Sequence, residues 1–233
     1  MRIGNFSALI SEGELAREHR KYDKALSCFD RAIRIAGSEG ENVAMMAALS
    51  HRALVWKHLF EQTGRRNFLE LTKADSEAGL AVAKSDKSVP AEVTAPLLLR
   101  LGDYYRLMRD RELALSYYHQ ALDVVSKSSP GKVAEYESHY ALALIEKGQV
   151  KKGFMLLSEC LQAIQADQSY RPFHRLIVES GIWLRMAEAY KGKNPAAYEK
   201  ALTEAEKLAK TLKIKHKMPM RLVQVENLRR EKM

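Results

Sequence analysis

The spacing of small and large residues between Leu98 and Ala121 constrains the fold of this chain more than any other feature of it. Leu98, Leu101, Gly102 and Tyr105 fall at helical spacing, and Ala114, Tyr118 and Ala121 do so again after a short polar turn. Gly102 and Ala114 are small where two antiparallel helices would cross closely. Leu98, Tyr105 and Tyr118 are large where the crossing leaves space. Ala121 is small again, on the side that the next helix would approach. Variations on the same helical hairpin are therefore expected along the rest of the chain.

They are present on both sides of it. In the first, Leu9, Gly13 and Ala16 precede Tyr22, Ala25, Phe29 and Ala32, with Glu12 where Leu101 stands; Gly37 is expected to cap the second helix. In the second, Leu49, Ala53 and Trp56 precede Leu71, Ala74, Ala78 and Ala81, with several extra residues between the helices. Pro90 or Pro96 opens the third, since proline suits a first helical turn. Ala141, Leu144, Gly153, Leu157 and Cys160 mark the fourth around a turn at Gly148, and Trp183, Met186, Ala187, Tyr190, Tyr198, Ala201 and Ala205 mark the fifth. The predicted hairpins run over about 5–36 (from Asn5), 43–84, 90–127, 132–166 and 173–212. Met220, Leu222, Val225 and Leu228, opposite Arg221, Arg229 and Lys232, predict a capping helix over about 219–231.

The spacing in the third hairpin resembles the tetratricopeptide pattern W-x2-L-G-x2-Y followed by A-x3-F, and the other hairpins follow it more loosely. The key small residues, Ala25, Ala74, Ala114, Gly153 and Ala201, lie further apart than the family's usual repeat length. This is similar to its longer-helix members, among them peptide-pheromone receptors and adaptors of polarity and motor complexes. The resemblance implies a single all-α domain: a right-handed α-solenoid of about five hairpins with a capping helix, binding another protein or peptide.

Composition removes other classes. With 46% hydrophobic residues, 12 Gly and 6 Pro, the chain is neither disordered nor collagen-like. No apolar run reaches the roughly 18 residues that a membrane span needs. Glu12 and Glu14 interrupt any early signal-peptide core, and Cys28 and Cys160 lie on apolar helical faces as reduced thiols. A cytoplasmic protein is the expectation. Ser129-Pro130-Gly131-Lys132 is not a phosphate loop, because Val133 stands where Ser or Thr is needed. His51 and His58 share a helical face but find no third ligand in the sequence. No metal, cofactor or catalytic role is expected.

The net charge of +9 is unevenly placed: residues 191–233 hold 12 Lys and Arg against 5 Asp and Glu, and the rest of the chain is nearly balanced. Lys210, Lys213, Lys215, Lys217 and Arg221 are therefore candidates for touching a polyanion, and a nucleic-acid contact through them is the alternative function. No aromatic residue after Tyr198 is present to stack on bases.

The resemblance also implies that the first helix of each hairpin lines the concave groove. Transferring the register places Ser11, His51, Arg100, His139 and Arg185 in one row and Arg17, Lys57, Arg106, Ile145 and Lys191 in a second. Neither row contains an acid. A third row reads Glu14, Leu54, Asp103, Leu142 and Glu188. The groove is then striped, with basic rows that receive carboxylates of a partner and with Leu54, Leu99, Leu142 and Leu184 as apolar anchors. The other reading is a solvated surface in which Arg100 pairs with Asp103 and Arg185 with Glu188. The carboxylate clamp of chaperone-binding members is not expected, because Ile10 and Glu14 replace its lysine and asparagine.

Overall fold

The computed structural model describes residues 6–230. Asn5, expected to open the first hairpin, and Lys232, expected on the polar side of the last helix, lie outside them. Among the described residues the chain forms eleven α-helices. They fall into two units that divide between Val124 and Val125.

The first unit holds three hairpins: α1 (Phe6–Glu18) with α2 (Tyr22–Glu39), α3 (Asn42–Thr63) with α4 (Asn67–Ser85), and α5 (Ala95–Leu107) with α6 (Arg111–Val125). The second holds α7 (Pro130–Glu146) with α8 (Val150–Ala166), α9 (Pro172–Tyr190) with α10 (Pro195–His216), and the single α11 (Met220–Arg230). Pro96 lies in the first turn of α5, while Pro90 leads into a short 3-10 turn at Ala91–Thr94. α2 runs through Gly37 and ends on Gly40, whose left-handed backbone (φ 71) returns its N–H to the last carbonyls. The expected cap at Gly37 was thus one helical turn early.

The hairpin turns share one device. Each places one residue in the left-handed region: Arg20, Gly64, Arg109, Gly148 and Gly192, with φ between 58 and 96. In three of them the next amide bonds back to the final helical turn: Lys21 to the Ala16 carbonyl, Asp110 to Tyr105 and Gln149 to Leu144, each at 2.9 Å. This is the Schellman geometry, which satisfies carbonyls that a helix end would leave open.

Close helix crossings follow the expected small-against-large rule. A β-carbon on Gly13 would stand 2.6 Å from the Phe29 ring, and one on Gly102 would collide with the Tyr118 ring. Gly153 likewise lies against Ile145 and the backbone of Ala141. In the second unit these contacts merge into one core that includes Leu157, Cys160, Ile182, Tyr198 and Leu202. Each fully buried aliphatic side chain contributes about 1.5–3 kcal/mol through burial. α11 lays Val225 and Leu228 against that core. Tyr198 donates to the Leu228 carbonyl at 2.6 Å, and Arg229 pairs with Glu206 at 2.7 Å.

The register of α4 differs from the expectation. Leu71, Ala74, Ala78 and Ala81 are all exposed, and Leu69, Thr72, Asp75, Ser76 and Gly79 face inward. The polar face goes inside because every group on it has a partner. Arg52 holds the Asp75 carboxylate through Nε at 2.9 Å and Nη2 at 2.6 Å, and Trp56 Nε1 donates to it at 3.1 Å. Thr72 donates to the Ala53 and Phe68 carbonyls, and Ser76 donates to Thr72. With those bonds made, burial costs little, and Gly79 lets Leu97 approach within 2.6 Å of where its β-carbon would be.

Two loops between hairpins repeat a second device. Asp86 accepts from Ser88 N and Oγ with one oxygen and from Asn42 Nδ2 with the other. Asp167 accepts from Ser169 N and Oγ with one oxygen and from the Gly131 amide with the other. Each Asp-x-Ser loop thus ties the end of a hairpin to the start of its own first helix.

Candidate partner-binding face

In the first unit the first-helix residues are organised around Asp103, which is buried. Its Oδ2 faces Lys57 Nζ of α3 at 3.1 Å and Arg100 Nη1 at 2.8 Å, and its Oδ1 accepts from the Tyr118 hydroxyl at 2.9 Å. Asp103 is therefore no exposed member of an acidic row but the pin that fixes two cations in place. Lys57 also lies 3.5 Å from Glu61. The neighbour pairing of Arg100 with Asp103, one of the two readings of the sequence, is what the structure contains. The Tyr118 hydroxyl is a participant that the sequence reading treated only as bulk.

Arg17 is buried and donates to Glu18 at 2.9 Å. His51 is half-buried, stacked nearly flat on the Phe29 ring at 5.7 Å, with Nδ1 3.5 Å from Glu14 Oε1. Burial, and then the guanidiniums of Arg17 and Arg100, push its pKa down to about 3, so the ring is neutral at physiological pH. Leu54 and Arg106 are half-buried.

In the second unit Arg185 of α9 donates through Nη2 to His139 Nε2 of α7. Arginine has no lone pair to offer and keeps its protons, so the bonded nitrogen of His139 is the acceptor. Glu188 is exposed. Leu99, Leu142 and Leu184 are 3%, 3% and 6% exposed. That corrects their expected place: they belong to the core, because the apolar stripe of each first helix turns toward its neighbours. Of the four leucines only Leu54 keeps access to solvent.

At the carboxyl-terminal end Lys213, Lys215 and Lys217 are exposed, and Lys210 is exposed but paired with Glu206 at 2.7 Å. Arg221 is turned inward, donating to Gln224 and to the Ile177 carbonyl of α9. It therefore helps dock α11 and does not belong with the exposed lysines.

Cys28 and Cys160 are free and buried. Burial pushes both thiols up, and Cys160 donates weakly to Glu137 at 3.7 Å. Among the described residues no cluster of His, Cys, Asp and Glu is arranged to hold a metal ion, and no helix is long and apolar enough to cross a membrane.

No protein-family profile matches the sequence, and no curated protein matches it. Solved structures do resemble the fold. BtubC (BKLC) from P. vanneervenii superposes with a TM-score of 0.56 at 17% identity, over 87% of this chain and 78% of that one. A variant of the nearly identical TPR-like repeats of a kinesin light chain candidate from Podosopora anserina gives 0.55 at 19% identity, over 91% of this chain and 100% of that one. The parent form of those repeats gives 0.53 at 20%, over 88% and 97%. The fold is that of an all-α solenoid of tetratricopeptide-like helical hairpins.

Proposed function

We propose that this chain is a non-catalytic scaffold that binds a protein or peptide on the first-helix faces of the hairpins within its units. One observation carries the reading. On those faces the charged side chains are held in fixed positions by internal pairs, Lys57 and Arg100 on buried Asp103 and Arg185 on His139. Side chains already ordered lose little entropy when a partner docks, so the face is pre-organised. The partner segment is acidic, because Lys57, Arg100, Arg106 and Arg185 stand on these faces. Exposed charge pairs each supply only about 0.2–1 kcal/mol, so they set register and steer encounter more than they hold the complex. Leu54 supplies an apolar contact beside them. The two buried free thiols suit the reducing cytoplasm.

The test is capture from native lysate with wild-type protein and two variants. Leu54→Glu, on the first-helix face, is expected to lose the partner. Ala78→Glu, on the exposed side of α4, is expected to keep it. Equal capture by all three overturns the reading.

A second reading rests on Lys213, Lys215 and Lys217, which are exposed at the end of α10. These lysines would contact nucleic-acid phosphates. Retention on DNA that falls steeply with salt supports it, and indifference to a heparin column removes it.

A further inference from the structure

The end of α10 projects from the second unit. Leu212 is its last buried residue, and Lys213, Ile214, Lys215, His216 and the capping Lys217 are all exposed, on every side of the helix. Ile214 is 79% exposed, against 39–54% for the other exposed large apolar side chains among the described residues. The start of α9 lies alongside. The Phe173 ring packs on the His216 ring at 4.7 Å, which brings the exposed Arg171 to the same corner. Residues 207–225 and 168–178 contain no Asp or Glu, so neither segment offers an acid to these cations.

Lysines in a last helical turn complement the helix dipole, and that accounts for part of the pattern. It does not account for Ile214, which stands in water between two lysines. Nucleic-acid phosphates match the lysines but leave Ile214 without a contact. Bases would also need an open ring to stack on, and the rings of this corner are engaged: Phe173 with His216 and His174, and Tyr170 with His174 and Glu135. An anionic bilayer matches both features. Ammonium groups on long apolar stems stay among charged headgroups, while the stems and an aliphatic neighbour enter the boundary of the acyl chains.

We infer that the projecting end of α10 docks this chain on an anionic lipid surface, with Ile214 entering the acyl boundary and Lys213, Lys215, Lys217 and Arg171 meeting the headgroups. The inference goes beyond the scaffold reading and does not depend on it, since it places a second surface away from the first-helix faces. It gives the exposed lysines a different partner from nucleic acid, and Ile214 separates the two.

Co-sedimentation of the full chain with vesicles tests this. The wild-type protein is expected to bind vesicles of mixed phosphatidylcholine and phosphatidylserine and not those of phosphatidylcholine alone. Ile214→Ala is expected to weaken binding about fivefold, with melting temperature and retention on a heparin column unchanged. Lys213→Gln with Lys215→Gln is expected to weaken it about tenfold to thirtyfold. Lys151→Gln with Lys152→Gln, exposed on α8, removes the same charge elsewhere and is expected to leave affinity as it was. The inference is overturned if the wild-type protein ignores the phosphatidylserine vesicles, or if Ile214→Ala binds them as the wild type does. It is overturned equally if the α8 variant weakens binding as much as the α10 variant, since net charge alone would then be the cause. Loss of heparin retention in Ile214→Ala to the same degree as vesicle binding also overturns it. Partner capture that is lost in Leu54→Glu would still support the scaffold reading after any of these failures.

Discussion

The ring of Tyr118 occupies the space that Gly102 leaves by having no side chain, and the Tyr118 hydroxyl continues past it to Asp103. One contact thus joins the crossing of α5 with α6 to the charged face of α5. Gly102→Ala is expected to cost about 3 kcal/mol, because a methyl group there must displace the ring. Tyr118→Phe keeps the packing and removes one donor from a buried carboxylate, at about 1–2 kcal/mol. Urea unfolding measures both. An unchanged midpoint for Gly102→Ala would mean that the two helices do not approach this closely.

Arg20 and Arg109 hold left-handed turn positions that glycine fills in the other three hairpins. An L-residue there carries about 1–2 kcal/mol of backbone strain, partly offset by the greater freedom glycine has when unfolded. Arg109→Gly should therefore stabilise the protein by about 0.5–1 kcal/mol. Arg31→Gly, at an exposed position inside α2, should destabilise it by about 1 kcal/mol. Opposite signs in thermal unfolding are the expected result.

The inward register of α4 depends on Arg52 neutralising Asp75. Arg52→Ala leaves that carboxylate buried with only Trp56 beside it, and a loss of about 3 kcal/mol is expected. Leu71→Ala, on the opposite and exposed side of the helix, should change stability by less than about 0.5 kcal/mol. The reverse ranking in chemical denaturation would restore the leucine and alanine stripe to the interior.

That helix marks where the sequence stops being readable. Four hairpins announce themselves through small residues at crossings and large ones between them, a signal that periodicity detects because it is apolar. In α4 the inward face is Thr72, Asp75 and Ser76, whose burial depends on partners elsewhere in the chain: Arg52, Trp56 and the Ala53 carbonyl. Counting apolar residues then selects the opposite stripe. The same limit applies to the charged face. The rows of Arg100, Arg106 and Arg185 follow from the register, but the burial of Asp103 and the neutral state of His51 depend on three-dimensional neighbours. Leu99, Leu142 and Leu184 lie beside those rows in sequence and turn into the core, a difference of about one residue in helical phase. The Asp-x-Ser loops at Asp86 and Asp167 escaped the sequence reading, because only their reach back to Asn42 and Gly131 gives them meaning.

Acid should weaken the fold through His51. Its pKa falls from an ordinary value near 6.5 to about 3 on folding, so the unfolded chain binds the proton more readily. The stability linked to this ring is complete above the unfolded value and is lost as pH falls below it, toward the folded value. By pH 5 the loss reaches about 1–2 kcal/mol. Asp167, held below the usual carboxylate range by Ser169, the Gly131 amide and Ser129, loses its contribution on further acidification. Urea midpoints at pH 7 and pH 5 check the claim for His51. His51→Gln should shrink the difference between them, and an equal difference in both proteins would place the pH dependence elsewhere.

Hydrogen exchange on the protein with its captured partner bound tests the central claim most directly. The account predicts slowed exchange along α3, α5, α7 and α9, with α4 and α8 unchanged. Protection confined to α4, α8 or the lysine-rich end of α10 would contradict it.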